Sequence, residues 1–574
     1  MEYKLQNVIC QNCKTQFTIE PEDFNFYEKI KVPPPTFCPE CRLVRRLVWR
    51  NERNLYKGIC KICNKNIFSV FSPDNSYSVC CANCWWGDNW NGMDYGKDYD
   101  FDKSFFEQFS ELLKKVPLTS LSQTNVKDSP YANYVEDAKN IYLSYSVVYD
   151  CENVFYSRFI DHSKQIFDSY DLIQSEKCYE NISCEKNYNT YFAYHSRNVL
   201  DSMFVYGCAN ISNCFLCTNL RSQKHCYKNK HYSEKEYKKI LDSYNLGSRE
   251  GLEKAKKEFM ELYNETFHHF AHTLNAVNCT GEDLFNCKNT KYSFKVNDGE
   301  NSKYLFRCLY IKDTMDSIFA GTLEQVYEYA NSGAFGSQNL KFCVGLKPGN
   351  FNIEYSAYCA SISDCFGCIG LKKKKYCILN KQYTKEEYEE LVPKIIKHMS
   401  DMPYIDKLGR VYKYGEFFPV DLCPFAYNET IANEHFPKNK EEIVLLGFRF
   451  MEREKRDYKI TMLNKNIPNN IKNTSEEIFK EILACENNGK EKTLCTEAFK
   501  IVPEELSFYK TINLPLPTKC PNCRYFDRTF FKNPLKLWHR KCMKEGCDNE
   551  FETSYAPDRP EIVYCERCYQ QEVY

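Results

Sequence analysis

The stretch ICQNCKTQFTIEPEDFNFYEKIKVPPPTFCPECR at residues 9–42 returns near the other end of the chain as LCTEAFKIVPEELSFYKTINLPLPTKCPNCR at residues 494–524. From Cys13 and Cys495 the two copies align without gaps to Arg42 and Arg524. The identical pairs are spread along the alignment: Phe17/Phe499, Pro21/Pro503, Glu22/Glu504, Tyr27/Tyr509, Pro33/Pro515, Pro35/Pro517 and Thr36/Thr518. The match predicts one duplicated module at the two ends of the chain.

The N-terminal copy contains four cysteine pairs, each with two residues between the cysteines: Cys10/Cys13, Cys38/Cys41, Cys60/Cys63 and Cys81/Cys84. A tight knuckle of this kind aims two thiolates at one ion, and two knuckles complete the Cys₄ shell that structural Zn²⁺ prefers. Sequential pairing predicts two sites. A closed shell leaves no position for water, so we expect no catalysis at these metals. Disulfides or free core thiols are the alternative.

The C-terminal copy keeps the same plan with two departures. Cys520/Cys523 and Cys565/Cys568 retain the tight spacing, whereas Cys542 and Cys547 form a stretched knuckle. Lys492 stands where the alignment expects the partner of Cys495, and Cys485 could supply the missing ligand through a longer loop. We expect roughly three to four Zn²⁺ ions per chain. Their ligands would be Cys10, Cys13, Cys38, Cys41, Cys60, Cys63, Cys81, Cys84, Cys485, Cys495, Cys520, Cys523, Cys542, Cys547, Cys565 and Cys568.

A second duplication lies between the terminal modules. CANISNCFLCTNLRSQKHCYKNKHYSEKEY, which begins at Cys208, aligns without gaps with CASISDCFGCIGLKKKKYCILNKQYTKEEY, which begins at Cys359. Upstream, anchors recur at intervals of 11–13 residues: Ile141, Val154, Ile166, Cys178, Tyr191, Met203, Cys214 and Cys226. Short strands at a fixed period are typical of a β-solenoid, with one period per coil or with two periods per three-sided coil. An ordinary β-rich domain with two similar halves is the alternative.

The fold class that follows is multidomain and β-rich, with a central parallel β-solenoid between two Cys₄ zinc-ribbon-like modules. Ser233 with Glu236, and Thr384 with Glu387, have the spacing of helix-capping boxes. We therefore divide the chain into an N-terminal double zinc module (1–97), a linker helix (98–130), solenoid half one (131–232), a helical insertion (233–280), solenoid half two (281–383), a helix with a mixed connector (384–480), and a C-terminal double zinc module (481–574).

The segment RLVRRLVWRNER at residues 42–53 has two interpretations. It could contact nucleic acid, with Trp49 stacking on bases. Alternatively, its arginines compensate the thiolate charge and cover a helix face, which is the interpretation we favour. The candidate contact residues are Arg42, Arg45, Arg46, Trp49, Arg50 and Arg53.

Three further features carry weaker signals. Trp85, Trp86 and Trp90 could form a docking surface, but such a cluster more often packs against a neighbouring domain. The cysteines between the modules do not form two clean knuckles, so we expect a ladder of buried thiols, with metal binding as the alternative. His268 and His272 would share a helix face and could bind a metal, although the glutamate of a metalloprotease motif is absent.

Composition narrows the class of protein. The 574 residues contain 77 basic and 77 acidic side chains, and this balance disfavours a non-specific nucleic-acid binder. The N-terminus lacks the pattern of a secretory signal, and no apolar run is long enough for a membrane helix. We therefore expect a cytoplasmic protein without membrane contact, in which paired cysteines bind metal rather than form disulfides.

The pattern of CxxC, an aromatic, two prolines and CPxCR resembles the bacterial probable zinc-ribbon family. Its positions here are Cys10, Cys13, Cys38 and Cys41, and then Cys495, Cys520 and Cys523. The whole chain is similar to uncharacterised cysteine-rich multidomain proteins of uncultivated bacteria. The resemblance implies zinc binding and no particular activity.

The leading hypothesis is therefore a zinc-stabilised scaffold that binds protein partners and has no catalysis at its metals. Nucleic-acid binding through residues 42–53 is the alternative. A carbohydrate-active enzyme is the third hypothesis, because Asp150, Asp161, Asp168 and Asp171 lie on one stretch of the solenoid.

Overall fold

A computed structural model describes residues 4–331, 335–452, 458–490 and 493–573. The protein is multidomain and β-rich, with a 14-stranded sheet and a 10-stranded sheet at its centre. We call these the first array and the second array. Lys492 lies outside the described residues. No helix among the described residues is both long and apolar enough to cross a membrane.

The first array contains strands β7 (Gln123–Lys127), β8 (Asn133–Tyr142), β9 (Tyr145–Val148), β10 (Cys151–Phe155), β11 (Arg158–Asp161), β12 (Lys164–Phe167), β13 (Tyr170–Ile173), β14 (Glu176–Tyr179), β15 (Ile182–Glu185), β16 (Tyr188–Tyr194), β17 (Arg197–Tyr206), β18 (Ala209–Thr218), β19 (Lys224–Tyr227) and β20 (Lys230–His231). All its pairings are parallel except the last, between β19 and β20.

The second array contains strands β22 (Thr273–Leu274), β23 (Gly281–Phe285), β24 (Lys288–Lys291), β25 (Ser293–Lys312), β26 (Met315–Ala330), β27 (Ser337–Val344), β28 (Phe351–Glu354), β29 (Ser363–Phe366), β30 (Lys375–Ile378) and β31 (Lys381–Gln382). It repeats the plan of the first array, because its pairings are parallel until the terminal antiparallel pair of β30 and β31.

Strand partners are one sequence period apart. Ile166 pairs with Cys178, and Cys178 pairs with Thr190, which is a step of 12 residues each time. The second array uses the same step where Cys365 pairs with Cys377. Of the two period lengths that the sequence rhythm allows, the observed pairings use the shorter one.

Each period is divided into steps of three residues. A residue with positive φ recurs at every third position, as at Gln165, Asp168, Asp171, Gln174 and Lys177. This conformation costs an L-residue roughly 1 kcal/mol, and short polar side chains tolerate it best. We call each of these residues with positive φ a corner. The inter-strand hydrogen bonds on either side of a corner offset that cost. Several predicted anchors directly follow such a residue, as Ile141 follows Asn140 and Cys214 follows Asn213.

The interior of each array is filled by every third side chain. Ile160, Ile166, Leu172 and Cys178 are fully buried in one cluster of the first array. Burying a branched aliphatic side chain contributes about 1.5–3 kcal/mol. Buried serines fit among them because each hydroxyl accepts from a backbone N–H one period later, as in the bond from Ser169 N–H to Ser157 Oγ.

Two predicted anchors are off by one position. The buried residues that pair at these places are Thr190 and Ser202, whereas the neighbouring Tyr191 and Met203 pack in an outer cluster. A polar side chain at an inward position hides the periodicity from a search for apolar anchors. The hydroxyl of Thr190 donates to backbone carbonyls, which makes its burial tolerable.

The helices are α1 (Pro21–Ile30), α2 (Pro39–Leu47), α3 (Ala82–Trp86), α4 (Phe105–Lys115), α5 (Glu234–Ser243), α6 (Arg249–Glu265), α7 (Lys385–Asp401), α8 (Ile431–His435), α9 (Lys440–Leu445), α10 (Pro503–Ile512), α11 (Pro521–Arg528) and α12 (Glu566–Val573). Ser233 and Thr384 form capping boxes with Glu236 and Glu387 at the starts of α5 and α7. Helix α6 ends at Glu265, so the predicted helix face with His268 and His272 is wrong.

The remaining strands are short. They are β1 (Gln6–Ile9), β2 (Gln16–Ile19), β3 (Tyr56–Ile59), β4 (Asn66–Ser69), β5 (Val79–Cys80), β6 (Leu118–Thr119), β21 (Phe267–His269), β32 (Tyr404–Ile405), β33 (Val411–Tyr412), β34 (Leu483–Ala484), β35 (Ala498–Phe499), β36 (Trp538–Lys541), β37 (Glu550–Thr553) and β38 (Ile562–Tyr564). Strand β21 carries His268 and pairs in parallel with β38 of the C-terminal module.

Candidate metal centres

Four groups of four cysteines could each hold a metal ion, because in each group the sulfurs lie within 4.8 Å of one another. Two groups lie near each end of the chain. Their members are Cys10, Cys13, Cys38 and Cys41; Cys60, Cys63, Cys81 and Cys84; Cys485, Cys495, Cys520 and Cys523; and Cys542, Cys547, Cys565 and Cys568. The structure thus brings together all sixteen cysteines that the sequence singled out. In each group, two cysteine pairs that are consecutive along the chain lie together, as predicted.

Each group has the same construction. Two cysteines lie in the loop of a small antiparallel hairpin: β1–β2, β3–β4, β34–β35 or β36–β37. The other two lie at the start of a helix, where Cys38, Cys81 and Cys520 are the N-cap residues of α2, α3 and α11. A helix N-terminus presents unpaired N–H groups and a positive dipole, which stabilise thiolates.

One hydrogen bond is common to all four groups. The backbone N–H of the third cysteine donates to Sγ of the first: Cys38 to Cys10 at 3.3 Å, Cys81 to Cys60 at 3.4 Å, Cys520 to Cys485 at 3.2 Å, and Cys565 to Cys542 at 3.3 Å. Cys485 therefore occupies the place of Cys10 in the C-terminal copy, despite its longer loop.

In each group one distance between two sulfurs matches a tetrahedral metal shell. One pair in each group is separated by 3.7, 4.0, 3.8 or 3.9 Å, measured between Cys13 and Cys38, Cys63 and Cys81, Cys485 and Cys523, and Cys547 and Cys565. Four sulfurs about 2.3 Å from a central Zn²⁺ would be about 3.8 Å apart. A disulfide needs about 2.05 Å, and none of the 33 cysteines, all of which are among the described residues, forms one.

Each group contains one thiol with a lowered pKa and at least one with a raised pKa, such as Cys38, whose pKa the Cys10 sulfur raises to about 12. Burial alone would raise the pKa of Cys60, but N–H groups such as those of Cys63 and Cys81 outweigh it and lower the pKa to about 6. The Cys485 thiol, as a hydrogen-bond partner, lowers the pKa of Cys520 to about 4. A metal ion binds the deprotonated form, so metal binding would release protons from the thiols whose pKa is raised.

The cysteines of the two arrays belong to a different environment. Cys178, Cys208, Cys214, Cys217 and Cys226 are buried in the interior cluster of the first array. The equivalent residues Cys359, Cys365, Cys368 and Cys377 are buried in the second. Among the described residues, none of these cysteines belongs to a cluster of side chains that could hold a metal ion. Burial raises the pKa of Cys208 to about 12, which keeps that thiol protonated and apolar. The predicted ladder of buried thiols is present.

We expect the variant Cys214→Ala/Cys217→Ala to retain its full metal content, although the pair has knuckle spacing. Each substitution should lower the free energy of unfolding by about 1 kcal/mol, because a small buried side chain loses its packing. Metal analysis of the purified variant, together with urea denaturation, checks this. Loss of one metal ion per chain would contradict the assignment of these thiols to the core.

The arginine-rich segment does not form a basic surface. Arg42, Arg45 and Arg46 are at most 1% exposed on α2. Arg46 pairs with Asp316 at 2.9 Å, and Arg42 pairs with the same carboxylate at 3.0 Å. Glu328 accepts from Arg46 at 2.7 Å and from Arg45 at 2.8 Å. These arginines bind acidic residues of β26, so their side chains are not available to contact nucleic acid.

The rest of that segment is also engaged. Trp49 is fully buried with its ring 5.3 Å from that of Phe418, and Arg50 is 3% exposed beside Glu52. Arg53 donates to Asn522 at 2.7 Å. The alternative of a nucleic-acid contact by Arg42, Arg45, Arg46, Trp49, Arg50 and Arg53 therefore has no support in the structure.

The C-terminal module repeats this docking on the other array. Arg524 and Arg528, the counterparts of Arg42 and Arg46, both approach Asp168, at 3.4 and 2.9 Å. Asp168 and Asp316 are fully buried corner residues with positive φ. Each module thus places two helix arginines on one corner aspartate: the N-terminal module on the second array and the C-terminal module on the first.

Aromatic contacts follow the same relation. Tyr27 of α1 meets Tyr327 of the second array, and its counterpart Tyr509 of α10 meets Tyr179 of the first. Both pairs are edge-to-face with ring centroids 5.5 Å apart. The two ends of the chain therefore contact the two arrays through matching pairs of residues.

The tryptophan cluster packs against the second array. Lys372 lies 4.9 Å from the ring centroid of Trp85 and 4.7 Å from that of Trp90. Trp85 is 1% exposed, whereas Trp86 is 46% exposed. Packing against a neighbouring unit, rather than an open docking surface, accounts for most of the cluster.

The four aspartates of the carbohydrate hypothesis do not share a groove. Asp168 is buried under Arg528, and Asp171 pairs with Lys295 and Arg307. Asp150 points to solvent, and Asp161 contacts His162. Burial raises the pKa of Asp161, and its contact with His162 lowers it. This hypothesis also lacks support.

Comparison with known proteins adds no family. No protein-family model and no curated protein matches the chain. Four chains of solved structure match, among them a putative acetyltransferase from Desulfovibrio desulfuricans G20. The identity is 10%, the match covers 51% of this chain and 86% of that one, and the TM-score is 0.09. A likeness of this size carries no conclusion about fold or activity.

Proposed function

We propose that this protein is a zinc-stabilised scaffold that binds one Zn²⁺ ion in each of its four Cys₄ groups. The separation of about 3.8 Å expected between sulfurs of a tetrahedral zinc shell carries the proposal, because one pair in every group lies within 0.2 Å of it. Four thiolates saturate the ion, so its role is structural rather than catalytic.

The two arrays are best interpreted as halves of one kind of β-solenoid. A coil would consist of one 12-residue period with four three-residue sides and four inward side chains. The parallel register, the corner residues with positive φ and the interior clusters support this interpretation. Such a coil buries its interior only by stacking on its neighbours, so its stability depends on what holds the stack.

The zinc modules supply that restraint in our proposal. Each is a small unit that zinc would fold, and each is fixed to one array by the arginine–aspartate contact. The scaffold would then present the remaining array surface to protein partners. The domain boundaries at residues 1–97, 98–130, 131–232, 233–280, 281–383, 384–480 and 481–574 remain our proposed division.

Hydrogen exchange of the full chain, with zinc and after chelation, tests this function. We expect chelation to remove protection from the module helices α2 and α11, and then from the strand segments that face them on β26 and β12. Strands far from the modules should change less. Unchanged exchange on β26 and β12 after complete metal removal would contradict a restraining role for the modules.

A further inference from the structure

A small cavity lies where the two arrays meet the C-terminal module. Its volume is about 20 Å³, which accommodates about one water molecule, and a monatomic ion is of similar size. Tyr170 of β13 lines it from the first array, Lys295 of β25 lines it from the second array, and Lys532 and Asn533 line it from the C-terminal module. A cavity this small places its lining groups around a single position, so their chemistry decides what it can hold.

The acids on the array side of the cavity are balanced by cations. Lys295 donates to Asp283 at 2.5 Å and to Asp171 at 2.6 Å. Arg307 donates to Asp171 at 2.9 Å. Two buried cations therefore compensate two carboxylates, and this part of the wall has no net charge.

The remaining acid and the histidines also leave no net charge. Burial lowers the pKa of His272, but its contact with Glu282 outweighs this effect and raises the pKa, so the two form an ion pair. The other carboxylate oxygen of Glu282 accepts from the Ser554 hydroxyl at 2.8 Å. Burial, together with His272, lowers the pKa of His195 to about 3, and burial lowers that of His435 well below its ordinary value. Both of these rings are neutral.

Lys532 adds a positive charge that no acid in the wall compensates. Its ammonium donates to the Tyr525 hydroxyl at 3.4 Å and lies 3.9 Å from the Tyr170 ring centroid. Within the part of the chain that the structure describes, it forms no ion pair. Glu434 accepts from Tyr525 on the far side, but it already pairs with Arg158. The cavity therefore has a surplus of one positive charge.

The Tyr170 hydroxyl lacks an acceptor for its proton. The side chain is 1% exposed, and its hydroxyl is buried without a hydrogen-bond partner. The charged groups around it, Lys532, Arg307 and Arg158, can only donate. Burial raises the pKa of the phenol, but these cations outweigh it and lower the pKa of Tyr170. The buried amide nitrogen of Asn533 in the same wall also has no partner. The surroundings thus favour a negatively charged acceptor.

We propose that this cavity binds one monovalent anion of the halide class, held by the Lys532 ammonium, the Tyr170 hydroxyl and the Asn533 amide. The ion would balance the surplus charge and accept the two unused protons. Phosphate and sulfate are too large for a volume of about one water molecule. The apolar lining by Phe294 and Phe306 favours the weakly hydrated chloride over fluoride. The site would join both arrays to the C-terminal module without any part for zinc.

Urea denaturation of the full-length protein tests the site when chloride replaces gluconate at constant ionic strength. Gluconate is the reference because it is too large for the cavity. An anion that binds only the folded state stabilises it increasingly as its concentration exceeds the dissociation constant. We expect the free energy of unfolding to rise with chloride and with bromide. Equal stability in chloride and in gluconate would overturn the proposal.

Two variants separate this site from other halide effects. Lys532→Met should abolish the chloride dependence, and Tyr170→Phe should weaken halide binding about tenfold, because a hydrogen bond to a charged group is lost. Lys519→Met is the matched control, since Lys519 belongs to the same module but pairs with Asp527 at 2.9 Å, and it should keep the wild-type dependence. An unchanged dependence in both Lys532→Met and Tyr170→Phe would contradict the site.

Two measurements on the wild type keep the test decisive if these variants do not fold. Equilibrium dialysis against bromide, followed by elemental analysis, should find one bromide ion per chain, and the absence of bound bromide would overturn the proposal. Near-ultraviolet absorption in chloride at neutral pH should show no tyrosinate. A tyrosinate signal would mean that Tyr170 itself supplies the negative charge and that no anion is bound.

Discussion

Replacing Cys38 and Cys41 by serine should unfold the N-terminal module. Both sulfurs belong to one Cys₄ group, and Cys38 also begins α2, which carries the arginines of the docking interface. A structural zinc site contributes folding free energy on the order of 10 kcal/mol. The net stability of a domain is about 5–15 kcal/mol, so the module should not survive the loss. Denaturant unfolding and limited proteolysis provide the measurement.

Cys80 offers a matched control in the same module. It is fully buried next to the ligand Cys81, but it belongs to no Cys₄ group. Its thiol donates to the Leu118 carbonyl at 3.6 Å, so Cys80→Ala should cost about 1 kcal/mol and keep all bound metal. If Cys38→Ser/Cys41→Ser and Cys80→Ala were equally stable and held equal metal, the cysteine groups would not be the source of the module's stability.

Asp316→Asn should be the most damaging single change away from the cysteines. Its carboxylate accepts from Arg42 and Arg46 while it is fully excluded from solvent. Removing one partner of a buried ion pair costs about 3–5 kcal/mol, because the remaining charge stays buried without compensation. We expect a loss of this size in urea denaturation, with early release of the N-terminal module in limited proteolysis.

Asp168→Asn should have the equivalent effect on the C-terminal module, through Arg524 and Arg528. Asp313→Asn is the control. Asp313 is three residues from Asp316 in the sequence, and it pairs with Lys29, whose side chain is 48% exposed. An exposed pair contributes about 0–1 kcal/mol. A cost below about 1 kcal/mol for both Asp316→Asn and Asp168→Asn would show that these contacts do not hold the modules in place.

The cysteine groups were predictable because zinc ligands obey local spacing. Tight pairs such as Cys38/Cys41 specify a knuckle from four residues, and the alignment of the two copies then located the others. Cys485 was the exception, since it reaches its group through a longer loop. Its role became clear only from the shared hydrogen bond between the Cys520 N–H and its sulfur.

The role of the arginines was not predictable with the same certainty. The sequence placed Arg42 and Arg46 on one helix face, but their partner Asp316 is 270 or more residues away. Nothing local marks Asp316 as a partner, because aspartate is common at corners of the arrays. The one available signal was the internal similarity of the sequence, because Arg524 and Arg528 have the same spacing as Arg42 and Arg46.

The periodicity of the arrays was visible, but its detail was not. Inward serines and threonines such as Thr190 replace apolar residues, and their hydroxyls are satisfied by the backbone. The histidine error has a related cause. Residues after Thr266 leave the helix because β21 pairs with β38, about 295 residues away, and a distant strand overrides local helix propensity. The ring of His272 therefore stacks on that of His195, and His272 does not share a helix face with His268.

Metal content of the intact protein tests the central claim most directly. The chain should be purified without added chelator, and bound metal should be measured by elemental analysis and checked by the cobalt charge-transfer absorption. We predict four thiolate-bound ions per chain, one for each Cys₄ group. Fewer than two thiolate-bound ions per chain would contradict the account.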